Sequence, residues 1–238
     1  MYLIIYNVKR GMSLTQEILN YLETGAEQLG KDGKDGKTYL VKLKKAVQSL
    51  KKNSEIAVKT FKPKKSTAKI QKEAEYQSLA AEAGISPQIH EVNLDHRYIA
   101  MNKLTILVAE EYRGRQLPET LQYQICALMG RLDSIKVLHN DSNALNVMLD
   151  DTGRSYIIDY GFAKKITPKI KKKHGDHPNI AVTLWGLSKG FRSYKIGTEI
   201  MKECYDAYYA GEDISQWIDR GEEELNNTHK RPKKRRRR

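Results

Sequence analysis

The sequence predicts an α+β chain whose strands come first and whose helices come last, and three observations carry that prediction. Short runs of strand character, such as EIAVKTF (55–61), dominate the first hundred residues. Longer stretches of helical periodicity, LPETLQYQICALMGRLDSIKVL among them, fill the chain from about residue 117 onward. At 238 residues the chain can bury a real core, as one large domain or as two small lobes.

Residues 2–8 read as a strand, and SLTQEILNYLET (13–24) as a helix opened by Ser13. In GAEQLGKDGKDGKTYLVKL the glycines alternate with Lys and Asp, which predicts a tight turn or flexible loop before a strand at TYLVKL (38–43). EIAVKTF follows through the lysine-rich KKAVQSLKKN, so the two strands should form an antiparallel hairpin. STAKIQKEAEYQSLAAEAG (66–84) has a Ser or Thr cap, an Ala, Glu and Gln body and a terminal Gly, the strongest helix signal in the chain. ISPQIHEVNL and YIAMNKLTILVAEEY supply further strands. NIAVTLWGLSKGF and GTEIMKECYDAYYAGEDISQWIDRGEEEL supply further helices. No internal repeat is present.

The net charge of +13 is unevenly spread. Eight Lys or Arg lie in KRPKKRRRR (230–238), leaving 34 basic against 29 acidic residues elsewhere, an excess of only +5. Such a tail cannot bury a core and is expected to be disordered alone; nuclear import, nucleic-acid contact and binding to an acidic partner all suit it. Cys126 and Cys204 form neither a disulfide framework nor a zinc spacing, which fits a reducing compartment. MYLIIY is a poor secretory signal and no run approaches membrane-spanning length, so the expectation is an intracellular, nuclear or nucleic-acid-associated protein with no membrane partner.

The chemistry concentrates in VLHNDSNALNVML (137–149) and the following DDTGRSYIIDYGFAKK. Two short strands, NVML and SYIID, flank a turn at DDTG, and a hairpin of that kind brings Asn146 and Asp159 to one edge. Asp141 precedes Asn146 by five residues and falls in the loop leading in. Three oxygen-bearing side chains then converge where a hard cation and a phosphate could be held.

This pattern resembles the protein kinase catalytic loop and the metal-binding turn after it. His139, Asp141 and Asn146 match the family's His, Asp and Asn, and DYG at 159–161 matches its DFG; Asp141 and Asp159 are eighteen residues apart, as is usual there. Upstream, AVKTF resembles the strand bearing the ATP-contacting lysine, here Lys59. The helix at 66–84 resembles the one that supplies its carboxylate partner, Glu73 with Glu75 as fallback. YIAMNKL resembles the hinge strand, with Met101 bordering the adenine pocket and Asn102 to Leu104 offering backbone groups. LGKDGKDGKTYLV resembles the glycine loop, although Gly30, Gly33 and Gly36 are spaced three apart, one residue more than usual between the first two; Lys31, Lys34 and Lys37 suit a phosphate neighbour.

The resemblance implies ATP and Mg2+ as cofactors. Lys59 would hold the α- and β-phosphates, Asn146 and Asp159 would ligate metal, Asp141 would take or orient the acceptor proton, and His139 would support the loop. Each residue alone has a blander explanation as a solvated or strand-ending group; five elements in the right order favour the joint one.

Two positions depart from the family. Asn140 replaces the Arg that grips a phosphorylated activation loop, so control by such phosphorylation is not expected; Asn143 replaces the Lys that serine/threonine kinases usually place near the transferred phosphate, so Ser, Thr, Tyr and a non-protein hydroxyl all stay open as acceptors. No APE-like sequence follows DYGFAKK, and only 77 residues remain after Gly161. In this the chain resembles compact atypical kinases: the RIO family, the small kinase-like ATPase of the tRNA threonylcarbamoylation complex, and short kinase-like proteins of large DNA viruses. KKITPKIKKKHGDH (164–177) holds six lysines where the activation segment belongs; the ordinary explanation is a solvated face, the functional one an acidic or nucleic-acid-bound substrate. His174 and His177 have too few neighbours for a metal, and Trp185 reads as core.

The expected architecture is a two-lobed protein kinase-like fold: an N-terminal lobe at 1–101, a hinge and reduced helical lobe at 102–225, and a basic tail at 226–238. The expected function is phosphorylation of a protein hydroxyl by a serine/threonine-type kinase. An ATPase subunit of an RNA-processing assembly, a non-catalytic nucleotide-binding scaffold and a small-molecule phosphotransferase are the alternatives.

Overall fold

The computed structural model describes residues 13–30 and 32–228. The strand expected at 2–8, Lys31 and the basic run from 229 lie outside the described residues. The chain divides into two compact units, Met1–Thr67 with His90–Lys103, and Ala68–Ile89 with Leu104–Arg238.

The first unit is a five-stranded sheet with one helix. Helix α1 (Leu14–Glu23) begins where the Ser13 hydroxyl accepts the Gln16 N–H at 3.2 Å. Strands β1 (Glu27–Leu29), β2 (Gly36–Lys42), β3 (Glu55–Phe61), β4 (Ile89–Asn93) and β5 (Tyr98–Asn102) lie in the order β1-β2-β3-β5-β4. EIAVKTF is the central strand, antiparallel to both neighbours. Its register pairs Val41 with Ile56 and Val58 with Ala100, so these residues and Tyr98 share one face. Leu14 and Ile18 of α1 pack in the same buried cluster. Alternation puts Ala57, Lys59, Phe61 and Met101 on the other face. Strand β1 falls in a segment whose composition signals only a loop; three mostly polar residues at a sheet edge carry too little alternation to register.

In the second unit, α2 (Thr67–Glu82) comes first. It ends near Gly84, which has φ 68°. Ala80 and Ile85 belong to the core of this unit, and the Ile85 carbonyl accepts the Ile157 N–H at 2.9 Å. The helix bearing Glu73 therefore groups with the helices, whereas the sequence reading groups it with the strands before residue 101. Strand β6 (Ile106–Leu107) leads at once into a short helix, α3 (Val108–Glu111), where the sequence suggests continued strand.

Helix α4 (Glu119–Ser134) is the axis of the unit, with eleven buried residues between Leu121 and Asp133. Each fully buried Leu or Ile there contributes about 1.5–3 kcal/mol relative to exposure. Around it lie β7 (Val137–Leu138), a 3-10 turn at Ala144–Asn146, β8 (Val147–Leu149), β9 (Ser155–Ile157), β10 (Lys164–Lys165) and α5 (Pro168–His174). A π-helical turn at Asn179–Leu184 runs into α6 (Trp185–Ser193), followed by α7 (Glu199–Ala210) and α8 (Ser215–Thr228). Gly211, with φ 77°, ends α7 and divides what the periodicity presents as one helical stretch. Helix α8 continues through Thr228, past the expected boundary at 225.

Buried polar groups join these elements. Arg154 donates to the carbonyls of Leu225 and Gly84, each at 2.9 Å, tying the β8–β9 hairpin to α8 and to the end of α2. Cys126 on α4 and Cys204 on α7, far apart in sequence, meet in the core; burial and the contact with Cys204 raise the Cys126 thiol well above its ordinary pKa. Gln122, fully buried, accepts the N–H groups of Ile200 at 2.9 Å and Met201 at 3.3 Å and donates to the Leu117 carbonyl at 2.7 Å. It caps α7 from outside, since Thr198 makes no side-chain cap of its own. Gln122→Leu, close in volume, leaves three backbone groups without partners and should lower unfolding free energy by about 2–4 kcal/mol in urea titration.

Candidate active site

The β8–β9 hairpin sets the site's frame. Val147 pairs with Ile157, and the Asp150 carboxylate closes the turn by accepting the N–H groups of Thr152 at 2.8 Å and Arg154 at 3.1 Å. Beyond the paired residues, Ile158 donates its N–H to the Asn146 carbonyl at 2.9 Å. Asn146 and Asp159 thus leave the hairpin at the same end. Asp159 has φ 66°, a left-handed backbone that Asp tolerates better than most side chains, and its carboxylate accepts the Gly161 N–H at 3.3 Å. Before the hairpin, the Asp141 carboxylate accepts the Asn143 N–H at 3.2 Å, and the Asn143 side chain accepts the Leu145 N–H at 3.0 Å, capping the 3-10 turn.

His139 sits between the two acidic segments and donates a hydrogen bond to one of them. It is fully buried, with Nδ1 2.9 Å from the Asp141 carbonyl and Nε2 3.1 Å from the Ile158 carbonyl. Tyr160 meets the ring edge-on, with centroids 4.9 Å apart. Burial lowers the His139 pKa; the two carbonyls and the fields of Asp141 and Asp159 oppose that shift without cancelling it. A neutral ring donates through one nitrogen only, so one of the carbonyls faces a lone pair.

The loop is also held by residues that the sequence reading does not single out. Asn179 is fully buried; its Oδ1 accepts the His139 N–H at 3.0 Å, and its Nδ2 donates to Asp133 at 2.7 Å and to the Val137 carbonyl at 2.8 Å. Asp133 also accepts the Asn179 N–H at 2.9 Å, and burial raises its pKa. Helix α6 lies directly on the loop: a Cβ on Gly186 would fall 2.3 Å from the Ser142 side chain, and one on Gly190 would fall 3.1 Å from the Ser142 carbonyl. Two glycines four apart were the available signal, and they face one way on a helix.

In the sheet unit, Lys59 is half-buried at the centre of β3, opposite the α1 face, with Nζ 5.4 Å from the Phe61 ring centroid. Ala57 and Met101, cross-strand partners, lie beside it on that face. Gly30, with φ 72°, and Gly33 form the turn between β1 and β2, and the Gly33 N–H is taken by the Gly36 carbonyl at 2.9 Å. Gly36 has a different reason to be glycine, because a Cβ there would fall 1.8 Å from the Thr60 carbonyl in its own sheet. Lys37 pairs with Asp32 at 3.1 Å, so one of the lysines expected near phosphate already has a carboxylate. In the helical unit, Glu73 is 1% exposed, while Glu75 is exposed and accepts from Gln71 at 3.1 Å. Burial that deep requires a hydrogen-bonded or cationic partner for an ionised Glu73. Leu104 is half-buried where the second unit resumes after the hinge.

A family model for protein tyrosine and serine/threonine kinases matches residues 24–185. The chain belongs to the protein kinase family. No curated protein matches it.

Kinases of this family generally use ATP and Mg2+, and the donor set of this kinase fits that ion. Mg2+ takes one or two protein oxygens and completes its shell with water and phosphate. Asn146 and Asp159 offer such a pair, and the described residues contain no cluster of three His, Cys, Asp or Glu that would form an all-protein cage. The buried Asn146 Nδ2 has no partner among the described residues, which costs about 1–3 kcal/mol unless an acceptor arrives with the ligand.

The kinase's departures act locally. Asn140, with φ 61°, donates to the Phe162 carbonyl at 3.3 Å, joining the catalytic loop to the residues after DYG. The segment then pairs Lys164 with Leu138 and Lys165 with Val137. Trp185 is not core: it is 39% exposed at the start of α6, with Lys189 Nζ 3.4 Å from its ring centroid.

The His139 shift sets a pH dependence of folding. Its folded pKa lies below the ordinary value of about 6.5, so between the two the unfolded chain binds a proton that the native kinase refuses. Stability is therefore whole above about pH 6.5 and falls as pH drops toward the folded pKa, by at most about 1.4 kcal/mol per pH unit for this group. In denaturant titrations from pH 7.5 to 5, His139→Gln should flatten the slope relative to the wild type, whatever its own stability.

Proposed function

We propose that this chain is an ATP- and magnesium-dependent protein kinase of the serine/threonine type, with Asp141 receiving or orienting the acceptor hydroxyl proton. The observation that carries the reading is the convergence of the Asp141 and Asp159 segments on one buried imidazole, which lies 2.9 Å from the Asp141 carbonyl and 3.1 Å from the carbonyl of the residue before Asp159 and donates a hydrogen bond to one of them. Positioning of this kind is most of what phosphoryl transfer asks of a protein. Lys59 contacts the α- and β-phosphates, with Glu73 as the carboxylate that orients it. Gly30 and Gly33 form the covering turn and Gly36 opens the strand after it, and Met101 and Leu104 border the adenine. Asn146 and Asp159 hold Mg2+, which supplies neutralisation of charge on the phosphates.

Burial of Glu73 and exposure of Glu75 support the choice between them. So does the position of Lys59 beside Ala57 and Met101, on the face that α1 leaves uncovered. The local role of Asn140 supports a kinase not controlled by a phosphorylated activation loop, since it supplies no cation to grip a phosphate.

Incubation with Mg2+, labelled ATP and a mixed protein substrate tests the reading. Asp141→Asn should lower kcat by about 10²–10⁴ with little change in ATP affinity. Asp159→Asn and Lys59→Met should remove transfer, and phosphoamino-acid analysis should return phosphoserine and phosphothreonine. Release of inorganic phosphate without protein labelling would make the chain an ATPase. Nucleotide binding without turnover would make it a scaffold.

A further inference from the structure

The lysine segment after DYG is built as a platform. Helix α5 buries none of its residues, so none of its side chains serves the core. Its backbone is nevertheless fixed at both ends. The Thr167 hydroxyl accepts the Ile170 N–H at 3.4 Å, Pro168 occupies the first turn, and Gly175 donates to the Lys171 carbonyl at 2.8 Å. The Tyr208 hydroxyl donates to the His174 carbonyl at 2.9 Å and accepts the His177 N–H at 3.1 Å. A seven-residue helix is not stable through its own hydrogen bonds, so these ties hold it.

What the platform presents is positive charge. Lys171 pairs with Asp176 at 2.8 Å, but Lys164, Lys165, Lys169, Lys172 and Lys173 are exposed and have no acidic partner among the described residues. Lys169, Lys172 and Lys173 follow i, i+3, i+4 spacing and share one helix face, where like charges repel. Lys164 and Lys173 both depress protonation of His174, after the larger effect of its burial, so their fields overlap.

The platform is also registered to the catalytic loop. Lys164 lies opposite Leu138, three residues before Asp141, and the Ile166 N–H reaches the Lys136 carbonyl at 2.8 Å. Three residues span at most about 10 Å, roughly one Debye length at physiological salt, and the left-handed Asn140 shortens that distance. An extended peptide presenting a hydroxyl to Asp141 would carry its nearby residues past these ammonium groups.

We propose that the segment docks acidic peptides, recognising carboxylates about two to five residues from the acceptor hydroxyl, an inference that rests on the kinase reading above. A peptide is favoured over single-stranded nucleic acid because residues 164–173 contain no aromatic ring for base stacking and no arginine for bidentate phosphate contact.

The test uses the full chain and the triple variant Lys169→Glu, Lys172→Glu, Lys173→Glu, which touches none of the proposed catalytic groups and leaves the terminal basic run as a shared background. Two serine peptides are compared, one flanked by Asp and the other by Asn at the same positions. For the wild type the Asp peptide should show a KM at least tenfold lower at equal kcat. The advantage should vanish in the triple variant and in 0.5 M salt. Equal KM for both peptides, with turnover intact, overturns the docking inference and leaves the kinase standing. Fluorescence anisotropy of the labelled peptides reads binding without catalysis: charge-selective binding lost in the triple variant, but without phosphoryl transfer, supports the surface and sinks the activity. No charge-selective binding overturns the inference whether or not the chain turns over. Oligouridylate bound more tightly than the Asp peptide, with the same loss in the variant, overturns it in favour of nucleic acid.

Discussion

The catalytic loop hangs from one buried amide. Asn179 uses both ends of its side chain, donating to Asp133 and the Val137 carbonyl and accepting from the His139 N–H, while its own backbone N–H returns to Asp133. Net, each such bond is worth about 0.5–1.5 kcal/mol, but leaving a buried group unmatched costs about 1–3 kcal/mol, so the cluster acts as a unit. Burial alone would drive Asp133 toward its neutral form; contacts with His177 and Asn179 oppose that. Through Asn179 the position of His139 depends on α4, the π-helical turn and β7 together. The two acidic segments are then spaced by an imidazole that cannot move independently of that core.

A second constraint is the two-residue period of the sheet unit. With α1 packed over Ile56 and Val58, alternation leaves Lys59, Ala57 and Met101 on the remaining face with no further instruction needed. A one-residue slip in the register of β3 would send Lys59 into the cluster beneath α1, where an ammonium could not be tolerated. The hydrophobic side of the strand thereby specifies where its cation goes.

Much of this was legible in the sequence because it is local. EIAVKTF declares its strand through β-branched residues, and the bounds of β3 are those of the motif. The hairpin after the catalytic loop follows from DDTG, whose Asp150 does fold back on the turn. What escaped notice depends on distance or on packing. Asn179 lies forty residues from the backbone it holds, and an Asn in an apolar run carries no mark of its partner. Gln122 reads as one more helical polar residue, although it caps another helix. Trp185 sits in an apolar context that suggests burial, but α6 turns Leu187, Ser188 and Phe191 to the core and sets Gly186 and Gly190 against the Ser142 loop, which leaves Trp185 outside. Helix α2 was recognisable as a helix, but its grouping with the second unit is decided by Ala80 and Ile85, which local propensity cannot assign.

The paired cysteines of α4 and α7 carry a practical consequence. Both sulfurs are sealed in the core, and the Cys126 thiolate is suppressed by its surroundings, so an alkylating reagent finds nothing to attack in the closed molecule. Reagent uptake therefore clocks the opening of the helical core. The chain brings its own probe of breathing, without any engineered label.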